Sequence, residues 1–304
     1  MNLRDLQYII ALSEHGHFGK AAAACNVSQP TLSGQIAKLE EELGITVFHR
    51  VGRSVRPTEA GEEIIEHARR AVSASQDIVD IARANRDPLS GRLRLGVIPT
   101  LGPYLMPYVL PAAAEKLPNA PLVIVEDLTG NLVPLVAQGK LDAAIIATPP
   151  EPPEITSMDL FEEPFSVATP ANHPLLALKV VKPSDIDPKS LLLLSDGHCL
   201  RDQVVDLCRQ QEANIAGHAD IRATSLETLL HLVGAGFGVT LVPQMAIESG
   251  RAAGVQIAIR PLAGDANRHI RLIYRRNSPR LKALVELARL IRASLPEPLR
   301  KLQK

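Results

Sequence analysis

From Thr58 to Ala84 the chain runs without a proline, and Ile64, Ile65, Ala68, Ala71, Val72, Ser75, Ile78, Val79 and Ala82 recur along it at heptad-like spacing. That periodicity predicts one helix from about Glu59 to Ala84, capped by Thr58. At a rise of ~1.5 Å per residue it spans roughly 40 Å. Residues 1–58 alone make too small a module to bury so long a stripe, so the helix is expected to pair with a second copy of the chain. The 304 residues thus divide into a module at 1–58, a dimerisation linker helix at 59–87 and a larger module at 88–304.

The first module reads as helices followed by a hairpin. Leu3, Leu6, Ile9, Ile10 and Ser13 follow the i, i+3, i+4 rhythm of one buried helix face. Lys20 to Cys25 is alanine-rich, which suits a tightly packed second helix, and Cys25 is expected to be a packed core thiol. Asn26-Val27 makes a short turn, Ser28 is a good N-cap, and Pro30 falls in the first turn, where a missing N–H costs little. Leu32, Ile36, Leu39 and Leu43 give the third helix its buried face, and Gly44 ends it.

Helix, short turn, helix is the arrangement that places a recognition helix in the major groove of DNA. The outward positions of that helix, Gln29, Thr31, Ser33, Gln35 and Lys38, offer short hydrogen-bonding groups suited to base edges. Residues 47–56 read as a β-hairpin with Gly52-Arg53 near its tip, so Arg50, Arg53 and Arg56 form a wing for backbone phosphate. The alternative for three arginines in a hairpin is an ordinary exposed turn. Beside a helix-turn-helix, the wing is the better assignment.

Asp87-Pro88-Leu89-Ser90-Gly91 is turn-rich and reads as a hinge. Strands and helices alternate beyond it. Strands are expected at Leu93 to Val97, Leu122 to Val125, Ala143 to Ile146 and Val239 to Val242. Helices are expected at Pro103 to Lys116, interrupted by proline, at Leu132 to Gln138, at a Thr224-Ser225-Leu226-Glu227 capping box, and at Leu281 to Ile291. The overall fold class is therefore α/β, with largely parallel sheets. Gly234-Ala235-Gly236-Phe237-Gly238 lacks dinucleotide-binding spacing and reads as a helix-to-strand turn. Thr100, after the first strand, and Thr129, before the helix expected at Leu132, fall where such folds hold ligands, although either serves equally as a plain N-cap.

The segment Asp196-Gly197-His198-Cys199-Leu200-Arg201-Asp202-Gln203, followed by Cys208, concentrates reactive chemistry. The thiolate is the nucleophile, and cations or a helix N-terminus lower a thiol's pKa. His198 and Arg201 are the expected cations beside Cys199, with Asp202 tuning them. A thiolate that attacks peroxide becomes a sulfenic acid, which a second thiol resolves. On a helix, the step from Cys199 to Cys208 advances ~13.5 Å and turns the side chain to the opposite face. A disulfide needs Cα atoms about 4.4–6.8 Å apart, so a helical pair must unwind to link. Two ordinary half-buried thiols remain the alternative at this point.

Composition narrows the classes further. Lys and Arg number 33 and Asp and Glu 33, which argues against a protein that coats nucleic acid but not against a local reading head. The basic excess lies at the far end, where residues 268–304 hold 11 basic and 2 acidic side chains. It is expected to be a solvated helix face, with a phosphate-binding tail as the alternative. Four Tyr, five Phe and no Trp leave no stacking platform for single strands. Three cysteines do not make a disulfide scaffold, and no apolar run approaches the ~18 residues of a membrane span. A cytoplasmic protein with reduced thiols is expected, with no membrane association, no cofactor and no metal.

Phe18-Gly19-Lys20-Ala21-Ala22, the run from Ser28-Gln29-Pro30-Thr31-Leu32-Ser33 to Leu39-Glu40, Arg50, and Pro57-Thr58-Glu59-Ala60-Gly61 together resemble the N-terminal signature of LysR-type transcriptional regulators. The resemblance implies a winged helix-turn-helix that binds double-stranded promoter DNA, a dimerising helix, and a regulatory domain of two periplasmic-binding-protein-like subdomains. These would lie at about 88–163 plus 267–304, and at 164–266. It implies a homodimer or homotetramer acting with RNA polymerase. Residues 196–203 with Cys208, Ile98 to Leu105, and Arg222 to Leu229 resemble the peroxide-responsive OxyR branch of that family. That resemblance implies that Cys199 is the peroxidatic thiol and Cys208 the resolving one, linked on oxidation by hydrogen peroxide. It implies that Thr100, Thr129, His198 and Asp202 hold and polarise the peroxide, with Arg268 near the thiol. It also implies a cellular reductant of glutaredoxin or thioredoxin type that resets the pair. A regulator of the same fold that answers to a metabolite, with inert cysteines, is the alternative, and an enzyme is not expected. Ser195, where the branch often has an acidic residue, and the divergent stretch from Gln210 to Asp220 bear on oxidation rate and reduction potential.

Overall fold

A computed structural model describes residues 1–51, 54–150, 152–208, 223–249 and 256–301, apart from the side chains of 50, 51, 80, 83–86 and 301. Arg53, Arg222 and the stretch from Gln210 to Asp220 lie outside it, as does the side chain of Arg50. The chain forms two compact units, Met1–Ala82 and Arg83–Lys304.

In the first unit, α1 (Leu3–His15), α2 (Phe18–Ala24) and α3 (Gln29–Leu43) pack around Ile9, Leu12, Leu32 and Leu39, all essentially inaccessible to solvent. Each such side chain contributes about 1.5–3 kcal/mol of burial. Asn2 caps α1 in a reciprocal capping box with Asp5, and Gly16 ends it in the left-handed region. Asn26 (φ +55°) makes the tight turn between α2 and α3. Strands β1 (Phe48–Val51) and β2 (Ser54–Pro57) pair antiparallel, with His49 opposite Arg56 and Arg50 opposite Val55. The hairpin is locked to the helices by Glu40, whose Oε1 accepts from the Val47 and Phe48 N–H groups at 2.7 and 3.0 Å.

Helix α4 (Glu59–Arg86) follows. Thr58 ties its start to the hairpin, donating to the Thr46 carbonyl (2.8 Å) and accepting from the Gly61 N–H (2.9 Å). A Cβ at Gly61 would stand 2.1 Å from the Val47 carbonyl oxygen, so only glycine allows this approach. The apolar stripe divides along the helix. Ile65 and Ala68 are buried in the unit's core and Val72 packs against it, whereas Ile78, Val79 and Ile81 are 69%, 43% and 50% exposed.

In the second unit, β3 (Leu93–Val97), α5 (Gly102–Lys116), β4 (Leu122–Glu126), α6 (Thr129–Ala137) and β5 (Ala143–Ile146) alternate, and β3 lies parallel between β4 and β5. There the parallel expectation stops. Strands β6 (Ile155–Pro170) and β9 (Asn267–Arg275) run antiparallel to each other, and β9 is antiparallel to β5. Beyond residue 164, β6 leaves β9 and pairs antiparallel with β7 (Thr240–Pro243) and β8 (Ile257–Pro261). The sheet is mixed because β6 crosses from one half into the other, and β9 returns antiparallel between β6 and β5. Pro164 stands at the exchange of partners, where its missing N–H costs the ladder least.

Helix α7 (Cys199–Cys208) and α8 (Leu226–Gly234) belong to the half containing β7 and β8, α9 (Gln244–Glu248) follows β7 directly, and α10 (Leu281–Ser294) and α11 (Glu297–Lys301) close the chain. Two helix starts differ from the expected positions. Helix α6 begins at Thr129 and not near Leu132, and α8 is capped by Ser225, which accepts from Thr228 N–H, one residue later than the box at Thr224. Helix α5 runs unbroken through Pro107 and Pro111.

Candidate functional site

The segment that leads into Cys199 is held by a glycine. Gly197 sits at φ +91°, and a Cβ there would approach Leu128 Cδ1 to 3.0 Å. Leu128 is the N-cap of α6. The turn at 196–198 therefore rests on the start of α6, which sets Cys199, the first residue of α7, against Thr129, the first residue of α6.

Cys199 is a free, buried thiol. Burial pushes its pKa up. The Arg268 guanidinium, the Thr129 hydroxyl and the Leu200 N–H pull it down, and the Asp202 carboxylate adds to the rise. The cation is thus neither of the two expected from sequence. Arg201 donates to the Leu194 carbonyl (3.1 Å) and pairs with Asp196 (3.1 Å). His198 is buried and held neutral: burial lowers its pKa, and a backbone hydrogen bond with Thr224 acts the other way. In this state the thiol is also not the low-pKa nucleophile anticipated, because desolvation outweighs the cation.

Arg268 is itself fixed. Its Nη1 donates to Thr100 Oγ1 (3.0 Å), Nη2 to the Thr100 carbonyl (3.1 Å) and Nε to Glu163 Oε2 (2.8 Å). Thr100, Arg268, Thr129 and Cys199 thus converge. Asp202 lies on the exposed side of α7 and enters only through its charge. Among the described residues the buried Gln203 Oε1 has no hydrogen-bond partner, and the buried Thr129 hydroxyl has none besides the thiol, whose ionised form it favours. Gln203 follows Cys199 by four residues, on the same helix face, and its Nε2 donates to the Ala147 carbonyl (2.9 Å). Sequence reasoning gave Gln203 no role. The available signal was that i, i+4 spacing. A nucleophilic sulfur, a fixed cation and free hydrogen-bonding capacity suit a small ligand that both donates and accepts. Among the described residues, no cluster of His, Cys, Asp or Glu is arranged to hold a metal.

Cys208 is also free and buried, with burial pushing its pKa up. It closes the helix that Cys199 opens, so the two Cα atoms stand ~13.5 Å apart along the axis. Cys25 is half-buried beside α2. Burial raises its pKa, Arg4 opposes this and Glu14 reinforces it.

In the first unit, Ser28 caps α3 by accepting from Thr31 N–H (3.3 Å), and its hydroxyl contacts that of Thr31 (2.7 Å). Gln29, Pro30, Thr31, Gln35 and Lys38 are exposed along one side of α3, with Ser33 half-buried among them. Arg56 is exposed on β2.

Known proteins match both units. Residues 3–62 match the bacterial regulatory helix-turn-helix protein family of lysR type, and residues 86–296 match the LysR substrate binding domain. The DNA-binding transcriptional dual regulator OxyR of Escherichia coli (strain K12) is 39% identical over 295 residues, 97% of this chain and 96% of the relative. A structure of full-length OxyR from Pseudomonas aeruginosa, with aspartate replacing a cysteine, is similar at a TM-score of 0.79 and 38% identity, covering 99% of this chain and 97% of that one. A hydrogen peroxide-bound cysteine-to-serine mutant of Corynebacterium glutamicum OxyR is similar at 0.66 and 36%, covering 96% and 92%. The chain belongs to the LysR family of bacterial transcriptional regulators, in its OxyR branch.

Proposed function

We propose that this protein is a peroxide-sensing transcriptional regulator in which Cys199 is oxidised first and Cys208 resolves it. The observation that carries this is the placement of two buried free thiols at the two ends of one ten-residue helix, the first beside a fixed guanidinium and the Thr129 hydroxyl. The Cys199 thiolate attacks one peroxide oxygen. An S–O bond forms, the O–O bond breaks, and the departing hydroxide takes up a proton as water. Sulfur is oxidised by two electrons and peroxide is reduced. The Cys208 thiolate then attacks the sulfenic sulfur. An S–S bond forms, the S–O bond breaks, and the hydroxide that leaves becomes water with the proton that Cys208 released on ionising. Thr100, Thr129, His198 and Gln203 surround the reacting oxygens, Arg268 favours the thiolate, and Asp202, exposed on α7, acts on it only through its charge.

The second step cannot occur on an intact α7, because ~13.5 Å must shrink to about 4.4–6.8 Å. Oxidation therefore unwinds the helix and withdraws Leu200 and Val204, both buried, from the core. That local unfolding is the bistable element through which a chemical change at sulfur alters the regulatory unit. In the DNA-binding unit, Ser28, Gln29, Pro30, Thr31, Ser33, Gln35 and Lys38 face the major groove, and Arg50, Arg53 and Arg56 grip phosphate. Two copies paired along the exposed apolar end of α4 read a two-fold promoter site, in a homodimer or homotetramer. The protein acts in the cytoplasm with RNA polymerase, switches antioxidant genes, and is reset by a glutaredoxin- or thioredoxin-type thiol. No helix among the described residues is long and apolar enough to cross a membrane.

The test is a disulfide map of the full chain after dilute hydrogen peroxide. A Cys199–Cys208 link is expected. Cys208→Ser should accumulate a sulfenic acid on Cys199 that a dimedone-type probe traps, and Cys199→Ser should bind promoter DNA yet not respond to peroxide. A full peroxide response from Cys199→Ser would overturn the proposal.

A further inference from the structure

Glu163 and Arg268 are direct partners in the β6–β9 ladder, and Glu162 and His269 are the adjacent pair. Strand alternation sends these pairs to opposite faces. The Glu162 carboxylate and the His269 ring stand 3.5 Å apart in solvent, whereas both Glu163 and Arg268 side chains are fully buried. A buried ion pair is often no more stabilising than an apolar pair of equal volume, so stability alone does not account for it.

Its hydrogen bonds are more specific than a generic pair requires. Glu163 Oε2 accepts from Arg268 Nε (2.8 Å), and Oε1 accepts from the Met245 N–H (2.6 Å) at the start of α9. Thr100 takes the two Nη groups of the same guanidinium. The cation is thus clamped on two edges, between the loop after β3 and the strand β6. Helix α9 is held in turn from the other half of the unit: the Tyr108 hydroxyl of α5 reaches the Glu248 carbonyl at 3.4 Å.

We infer that Glu163 is a positioning residue for the chemistry of Cys199: it fixes the Arg268 guanidinium beside the thiol and ties that cation to the first turn of α9. This rests on the assignment of Cys199 as the reacting thiol. Only a carboxylate meets the geometry, because both of its oxygens face N–H donors. A glutamine amide, turned either way, sets its own NH2 against one of them. Aspartate keeps two acceptors but falls short by one C–C bond, ~1.5 Å, more than a hydrogen bond tolerates.

The experiment measures the alkylation rate of Cys199 by iodoacetamide against pH in the reduced full-length chain, read on the Cys199 peptide by mass spectrometry. The variants are E163Q, E163D, R268K and E163Q combined with R268K. With Arg268 released from its clamp, E163Q should slow alkylation at pH 7 about tenfold, the effect of one unit of displacement in a thiol's titration. The midpoint of the pH profile should move upward, the high-pH plateau should hold, and Cys25 and Cys208 rates should stay the same. E163D should move the midpoint in the same direction. Adding E163Q to R268K should have little further effect. An unmoved midpoint, a faster reaction in E163Q, or an undiminished effect in the R268K background would overturn the inference. E163D decides alone if E163Q does not fold. Because iodoacetamide replaces peroxide, a negative disulfide map leaves this result standing, and a negative result here leaves the map standing.

Discussion

If oxidation unwinds α7, a side chain that only the intact helix buries must set the redox equilibrium. Val204 lies between the two cysteines and is 2% exposed. With Leu200 it lines a narrow crevice whose other wall is Leu192, Leu194, Leu229 and Leu241. Val204→Ala removes about two methylene equivalents of burial at ~0.8 kcal/mol each and leaves part of the space unfilled, about 2 kcal/mol in all. The loss falls on the reduced state, where α7 is folded, and not on the unwound oxidised state. Oxidation becomes easier, and for a two-electron couple the reduction potential falls by about 40 mV. The assay equilibrates wild type and variant in graded dithiothreitol redox buffers and quenches with a mass-tagged alkylating agent to count thiols. A potential within about 10 mV of wild type would mean that Val204 is equally buried in both states, and a higher one that it is more buried in the oxidised state. The claim that the disulfide dismantles α7 would then fail.

The pH response of stability follows from His198. Its folded-state pKa is depressed by burial, so its contribution is present above the ordinary histidine value of about 6.5 and is lost as pH falls through the lower folded value. Denaturant midpoints should drop more between pH 7 and pH 5 for wild type than for His198→Asn, and parallel curves would refute this. At the DNA surface, Arg56→Ala should lower the slope of log affinity against log salt by about one, because an arginine on phosphate releases counterions. Gln35→Ala should leave that slope unchanged while reducing discrimination between promoter and random DNA. Fluorescence anisotropy at several salt concentrations measures both, and equal slopes for all three proteins would remove Arg56 from the phosphate contacts.

Local signals were legible where the physics is local. Ser28 as a cap, Gly44 as a stop and the spacing of Leu32, Ile36, Leu39 and Leu43 specify α3 before any tertiary contact is known, and the structure has each in its role except Leu43, which is exposed in the last turn. The alternating strands of the parallel half were equally visible. Strand β6 was not, because Glu162, Glu163 and Pro164 break its apolar pattern. Glu163 is tolerable in the core only because Arg268, 105 residues away, stands across the ladder. For the same reason the electrostatics of the thiol were misplaced. Proximity in the chain points to His198 and Arg201 as the cations of Cys199, yet Arg201 pairs with Asp196 and burial lowers the pKa of His198. The cation that acts arrives from a distant strand, and its presence there rested on family resemblance alone.

The two long strands have a mechanical consequence. β6 runs through both halves of the regulatory unit and changes partners beside Pro164, where β9 begins against it. That crossing is a fulcrum, and a lever moves least at its fulcrum. Glu163 stands next to it, with Arg268 directly across the ladder. The Arg268 charge is therefore anchored at the point that both halves share, the place that a rotation of one half against the other would displace least.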